Sequence, residues 1–140
     1  MPLEAKRCPG INPTLFLEAM FALEIESYRN LSVSPGPVFF DRGIPDLLGA
    51  AVLMNLSVPP QVEAVAKRLR YNRRVFIAPP WPEIFTNDAE RKQTWEEAER
   101  TYHQMVEIYS CCGYELIELP RTSVEARMSF VLARAMLHQD

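Results

Sequence analysis

Asp41 and Arg42 follow directly on the apolar run Val38-Phe39-Phe40 and precede Gly43. A carboxylate, a guanidinium and a glycine thus fall together where a short buried strand would meet solvent. In open α/β sheets, ligands bind outside the carboxyl ends of the strands. A single carboxylate there suits Mg²⁺, which commonly takes only one or two protein carboxylates together with phosphate oxygens. The plainer reading of the same pair is an ion pair closing the strand end. The phosphate-cradling loop that normally accompanies such an aspartate, G-x-x-x-x-G-K-[ST], occurs nowhere in the 140 residues.

Other candidate groups carry plainer alternatives. Arg91-Lys92 lie in a polar stretch just before a capped helix, where cationic groups can stabilise developing phosphoryl charge or simply keep a surface soluble. Arg73-Arg74 precede a second apolar run; a strand start is the wrong end of a sheet for ligands, so a solvated or carboxylate-paired role is expected. Trp81, among Pro79, Pro80 and Pro82, suits stacking on a base or partner, but a hydrophobic anchor is preferred. Ser123 reads as a helix cap rather than a nucleophile, and His103 as a surface residue between Glu99 and Glu107. Cys8, Cys111 and Cys112 have no zinc-knuckle spacing, and His103 and His138 form no H-x₃-H pattern, so no metal cluster is expected. Cys8 follows Lys6-Arg7, which could lower a thiol pKa, but ordinary reduced thiols are expected.

The bulk of the chain is that of a globular domain: 48% apolar, 24% charged, with a formal charge of −3. The acidic balance argues against a dedicated nucleic-acid binder. No apolar run is long enough to span a bilayer, and residues 1–10 have no signal-peptide core. A cytoplasmic protein is expected, with no nucleic-acid or membrane partner.

The positioning elements follow from pattern. Asn12-Pro13 starts a helix whose stripe is Leu15, Phe16, Ala19, Met20 and Leu23. The breakers Ser34 to Pro37 precede Val38-Phe39-Phe40, expected as a strand buried on both faces. Helices are predicted over Ile44–Met54, begun by Pro45, and from Pro59-Pro60 to Arg70, with Val62, Val65, Ala66 and Leu69 on one face. Val75–Ala78 is a second buried strand. Thr94 and Glu97 form a capping box for a helix whose stripe is Trp95, Ala98, Tyr102, Met105, Tyr109 and Cys112, stopped at Gly113. Tyr114–Leu119 alternates and is expected near a sheet edge. A last helix after Ser123 is expected to turn Val124, Met128, Val131, Leu132 and Ala135 inward. This order belongs to an α/β layered domain with a parallel sheet, and no repeat or linker interrupts it.

In order along the chain stand Phe39-Phe40-Asp41-Arg42-Gly43, Tyr71-Asn72-Arg73-Arg74-Val75-Phe76 and Ala78-Pro79-Pro80-Trp81-Pro82-Glu83-Ile84-Phe85, followed by the runs Asp88 to Thr94 and Gly113 to Leu116. Together they resemble the predicted ATPases of the NadR-like AAA-domain group, P-loop NTPases related to small-molecule and nucleotide kinases. The resemblance covers roughly residues 35–133. It implies a three-layer αβα fold of P-loop NTPase type with a parallel sheet, here incomplete because the first strand and P-loop would precede everything present. Residues 1–140 are then one partial domain with a lid over about residues 81–94.

The resemblance further implies that Asp41 acts in catalysis, holding Mg²⁺ directly or through its water shell, or orienting an acceptor hydroxyl. Arg42 would face the acceptor substrate. Arg91, with Lys92, would close on the phosphates, and Arg121 would lie in a loop near the base. Mg²⁺ and ATP are the implied cofactors, and ATP or GTP the partner in intact relatives; ATPase and kinase activity both stay open. Without the loop, activity of this chain alone is expected to be weak or absent. In that sheet the missing strand would lie between the strands matching Val38–Phe40 and Val75–Ala78. Its loss would expose ladder edges, through which the chain could associate with itself or act as a non-catalytic interaction module. A start codon set too late is a further reading, prompted by the poor family match of residues 1–12.

Overall fold

The computed structural model describes residues 12–31, 33–85 and 94–137. The chain divides into two compact units, residues 1–71 and 72–140, and each unit is built around its own apolar contacts.

The first unit is helical. Helix α1 spans Pro13–Leu31, and Asn12 caps it, its Oδ1 accepting the amides of Thr14 at 2.8 Å and Leu15 at 3.3 Å. The buried positions are Leu17 and Phe21, with Phe16 and Met20 half-buried, whereas Leu15, Ala19 and Leu23 are exposed. The inward face is therefore turned from the expected stripe. Apolar residues lie on more than one side of α1, and its packing on α2 (Ile44–Leu53) selects the side that carries Phe21. Helix α2 buries Ile44, Pro45, Leu48 and Ala51. It ends in a Schellman motif: Leu56 N–H reaches Ala51 O at 2.9 Å and Asn55 N–H reaches Val52 O at 3.1 Å. Asn55 takes the left-handed conformation, φ 57°, that this ending requires. Helix α3, Pro60–Arg68, contacts α2 and buries Ala66.

Val38–Phe40 is not a strand. Residues 37–40 pair with no ladder among the described residues, and Phe39 is exposed. Three apolar residues behind Pro35-Gly36-Pro37 are a short run, and Phe40 spends its ring on aromatic packing instead. Its centroid lies 5.4 Å from that of Tyr71 and 6.3 Å from that of Tyr28. Asp41 consequently stands in a bend that enters α2, and not at the tip of an inner strand.

The second unit holds the sheet, which among the described residues has two strands rather than the expected three. Strands β1 (Arg74–Ile77) and β2 (Glu115–Glu118) run parallel, in a register that opposes Arg74 to Glu115 and Ile77 to Glu118. A short helix α4, Pro82–Phe85, and the long helix α5, Trp95–Cys111, connect them. The expected capping box of α5 is formed: Thr94 Oγ1 accepts Glu97 N–H at 3.1 Å, and Glu97 Oε1 accepts Thr94 N–H at 2.9 Å. Such a cap contributes about 1 kcal/mol. Met105 and Tyr109 are the buried members of its stripe. Gly113, φ 90°, ends α5 in a second Schellman motif, with Tyr114 N–H on Tyr109 O at 3.0 Å and their two rings in contact, centroids 5.6 Å apart.

Helix α6, Val124–Leu137, is capped as expected by Ser123, whose Oγ accepts Ala126 N–H at 3.1 Å. Its orientation differs from the sequence expectation. Val124, Met128 and Leu132 are 66%, 57% and 43% exposed, while Phe130 packs on Phe76 of β1 with ring centroids 6.4 Å apart. Val131 and Ala135 are half-buried. No helix among the described residues is long and apolar enough to cross a membrane.

Candidate functional site

In the first unit, the residues singled out from sequence meet at the bend before α2. Arg42 has a left-handed backbone, φ 76°, which a non-glycine residue seldom adopts and which turns the chain from the extended run into the helix. The turn is held from both sides. Asp46 Oδ1 accepts Gly43 N–H at 3.0 Å, and Tyr71 Oη accepts Ile44 N–H at 2.9 Å. Gly43 is required by Tyr71: a Cβ at this position would lie 3.0–3.1 Å from the Tyr71 ring and hydroxyl. Tyr71 is itself set by Tyr28, whose ring meets it edge-on at 5.3 Å and whose hydroxyl donates to Arg70 O at 2.6 Å.

Charge is distributed unevenly at this corner. Arg42 Nη1 lies 3.8 Å from Asp46 Oδ2, with 70% of the arginine side chain exposed against 15% of the aspartate. Exposed pairs of this kind contribute little stability, but this one settles where the guanidinium goes. Arg42 pairs with Asp46, four residues on, and not with Asp41. Asp41 is exposed and forms no hydrogen bond or ion pair with another described residue. The strand-end ion pair between neighbours is therefore not formed. Behind the bend, burial and secondarily the Asp46 charge raise the Glu24 carboxyl above its ordinary value.

In the second unit, the carboxyl ends of β1 and β2 gather a different set of groups. Arg121, just past β2, donates from Nη2 to Pro80 O at 3.0 Å, which ties together the two segments leaving the strands. Tyr102 donates its hydroxyl to Glu118 Oε2 at 2.8 Å. Burial, that hydrogen bond and the Glu118 charge raise the phenol above its ordinary value, and Arg121 opposes the rise. Arg127 lies over the indole of Trp81, its guanidinium carbon 5.6 Å from the ring centroid. Trp81 is half-buried beside this guanidinium. At the opposite ends of the strands, Arg73 and Arg74 approach Glu115 Oε1 at 3.8 and 3.9 Å, the carboxylate pairing expected for them.

Arg91 and Lys92, with most of the expected lid, lie outside the described residues. Asp41 and Arg42 share one bend in the first unit, and Arg121 belongs to the second. Sequence reasoning passed over Asp46 and Tyr71, the two side chains that hold the bend. Asp46 had a signal, since an acid three residues after Gly43 at a helix start is the second half of a capping box. Tyr71 had none, because its role depends on contacts 27 residues away.

The model of a family described as an AAA domain matches residues 3–127. The chain belongs to this AAA-domain family, which is of the P-loop NTPase type. The mixed α/β architecture with a parallel pair of strands is consistent with that class. The matched stretch begins ahead of the motifs that carry the sequence resemblance and includes α1. No curated protein and no solved structure matches the chain.

Proposed function

We propose that the chain is the C-terminal part of an ATP-binding, kinase-like P-loop protein of the NadR-like group, acting in the cytoplasm, with its sheet completed into a three-layer fold by a strand and phosphate loop not contained in these 140 residues. The observation that carries the reading is Asp41: an exposed carboxylate at a strained bend, in a P-loop-type family, with the neighbouring guanidinium drawn off to Asp46. Mg²⁺ fits these residues. It needs few protein carboxylates when phosphate oxygens supply the rest, and no described cation competes for Asp41. When bound together with ATP, Mg²⁺ would offset part of the negative charge of the phosphates.

In this reading Asp41 would hold the ion through its water shell or accept a proton from an acceptor hydroxyl. Arg42, exposed beside Asp46, would orient the acceptor, and Arg91 with Lys92 would neutralise charge on the transferred group. Arg121 borders the base. Phosphoryl transfer depends almost wholly on positioning and electrostatics, so a chain without the cradle is expected to bind ATP weakly and to hydrolyse it little or not at all. Isothermal titration with Mg-ATP tests this. Heats too small to fit a micromolar constant are expected; micromolar binding that disappears in Asp41→Ala would show that the 140 residues hold a complete site. Reading the nucleotide sequence upstream of Met1 tests the other half, because an in-frame G-x-x-x-x-G-K-[ST] segment would supply the cradle.

A further inference from the structure

Asp46 divides its carboxylate between two tasks. Oδ1 accepts Gly43 N–H at 3.0 Å and so fixes the start of α2, while Oδ2 lies 3.8 Å from Arg42 Nη1. The first task does not need the second. A cap of this kind asks for one oxygen acceptor, which an uncharged amide supplies as well. The backbone at Arg42 is left-handed, φ 76°, whereas Gly43 is extended, φ −152°. Glycine takes the left-handed shape freely, yet the arginine takes it here, so its side chain is placed against the backbone preference of its own residue. Two carboxylates flank Arg42 in the chain, Asp41 just before it and Asp46 four residues after it. Burial and charge decide between them. The Asp46 side chain is 15% exposed, and Asp41 is an exposed residue; attraction to a partly desolvated carboxylate is screened less than attraction to a hydrated one. Glu24 stands near enough for the Asp46 charge to raise its carboxyl, which adds a second acid on the Asp46 side.

We propose that Asp46 is the positioning residue of this corner: it holds the Arg42 guanidinium away from Asp41 and thereby keeps Asp41 available to a divalent cation. The inference rests on the reading of Asp41 as the Mg²⁺ residue. It adds a group which that reading does not use, since Asp46 acts through Gly43 and Arg42 and not on the ion. Once the Asp46 charge is removed, Asp41 is the acid next to Arg42 in the chain, and a guanidinium on that carboxylate competes directly with a metal ion. The hold on Arg42 is also a weak one, at 3.8 Å with 70% of the arginine side chain exposed. Pairs of this kind are easily given up, as a group that must turn to an acceptor requires.

Asp46→Asn separates the two tasks, because asparagine keeps an oxygen for Gly43 N–H and removes the charge beside Arg42. The probe is Mn²⁺ alone, titrated into the isotope-labelled chain. The readout is paramagnetic broadening of the Asp41 amide signal, and the Gly43 amide shift before metal is added reports that the bend is intact. Asp46→Asn is expected to require about threefold more Mn²⁺, or more, for the same broadening, a coupling ordinary for neighbouring groups. Asp46 also attracts the ion by its own charge, so the same substitution is made in Arg42→Gln. There the loss is expected to fall below about twofold, since no guanidinium remains to cover Asp41. Equal losses in the two backgrounds would mean that Asp46 acts by its field alone, which overturns the proposal. An Asp46→Asn chain that responds like the parent, with Gly43 unmoved, overturns it as well. Should Asp46→Asn disturb the bend, the parent decides: proton–proton Overhauser contacts from the Arg42 side chain to that of Asp46 support the proposal, and contacts to that of Asp41 instead overturn it. A parent chain without broadening at Asp41 removes the Mg²⁺ reading and the inference with it, an outcome distinct from a broadened parent whose variants behave alike.

Discussion

Gly43 lies under the Tyr71 ring, and the bend that presents Asp41 depends on that closeness. A methyl group at 3.0–3.1 Å from the ring would displace it and release the Ile44 amide from Tyr71 Oη. Gly43→Ala is therefore expected to destabilise the first unit by about 1–3 kcal/mol, read as a lower urea midpoint with unchanged slope; a midpoint equal to the parent's would mean that Tyr71 does not support the bend. Glu24 behaves oppositely. Burial first, and the Asp46 charge second, raise its carboxyl above the ordinary 4.5. The folded state then holds this proton more tightly than the unfolded state, so stability falls as pH rises through the interval just above 4.5 and stays lowered at neutral pH. Glu24→Gln should raise the urea midpoint at neutral pH and lose the advantage well below 4.5. An advantage that does not change with pH would sink the electrostatic explanation.

At the scale of elements, α6 is the sharpest departure from pattern. Its sequence offers two overlapping apolar stripes, and the contact of Phe130 with Phe76 leaves Val124, Met128 and Leu132 outside. Met128→Gln should thus alter stability by no more than about 0.5 kcal/mol, whereas Phe130→Ala should cost about 2–4 kcal/mol; thermal unfolding of the two variants compares them directly. The reverse order would restore the inward stripe expected from sequence. Helix ends were far more legible than helix faces. Asn12, Thr94 with Glu97, Gly113 and Ser123 all act where local chemistry placed them, because a cap needs only partners within a few residues. A face needs a partner element, and α1 and α6 each carry enough apolar residues to offer more than one.

For the whole molecule, the decisive property is the combination of P-loop-type ancestry with a sequence that holds no G-x-x-x-x-G-K-[ST] loop. A ligand present at its own dissociation constant stabilises by only about 0.4 kcal/mol, roughly 1–2 °C for a chain of this size. Mg-ATP at millimolar concentration is expected to move Tm by no more than that, and equally in Asp41→Ala. A rise above about 5 °C that depends on Asp41 would mean that a phosphate grip exists within the 140 residues. Of the candidate site, the Asp41-Arg42-Gly43 step was visible from residue types alone. Its supports were not, because Tyr71 and Tyr28 reach it only through the folded first unit.

The linear order of residues determined what local forces decide: where helices start and stop, that the runs at Val75 and Leu116 would be strands, and that Arg73 and Arg74 would seek a carboxylate. Tertiary structure decided the rest. It left Val38–Phe40 outside any ladder among the described residues and turned α1 and α6 about their axes. It also sent Arg42 to Asp46 so that Asp41 faces solvent. Each of these outcomes is a choice between partners distant in sequence. A hydrophobic run specifies that it must be covered, whereas the covering surface exists only once the chain has folded.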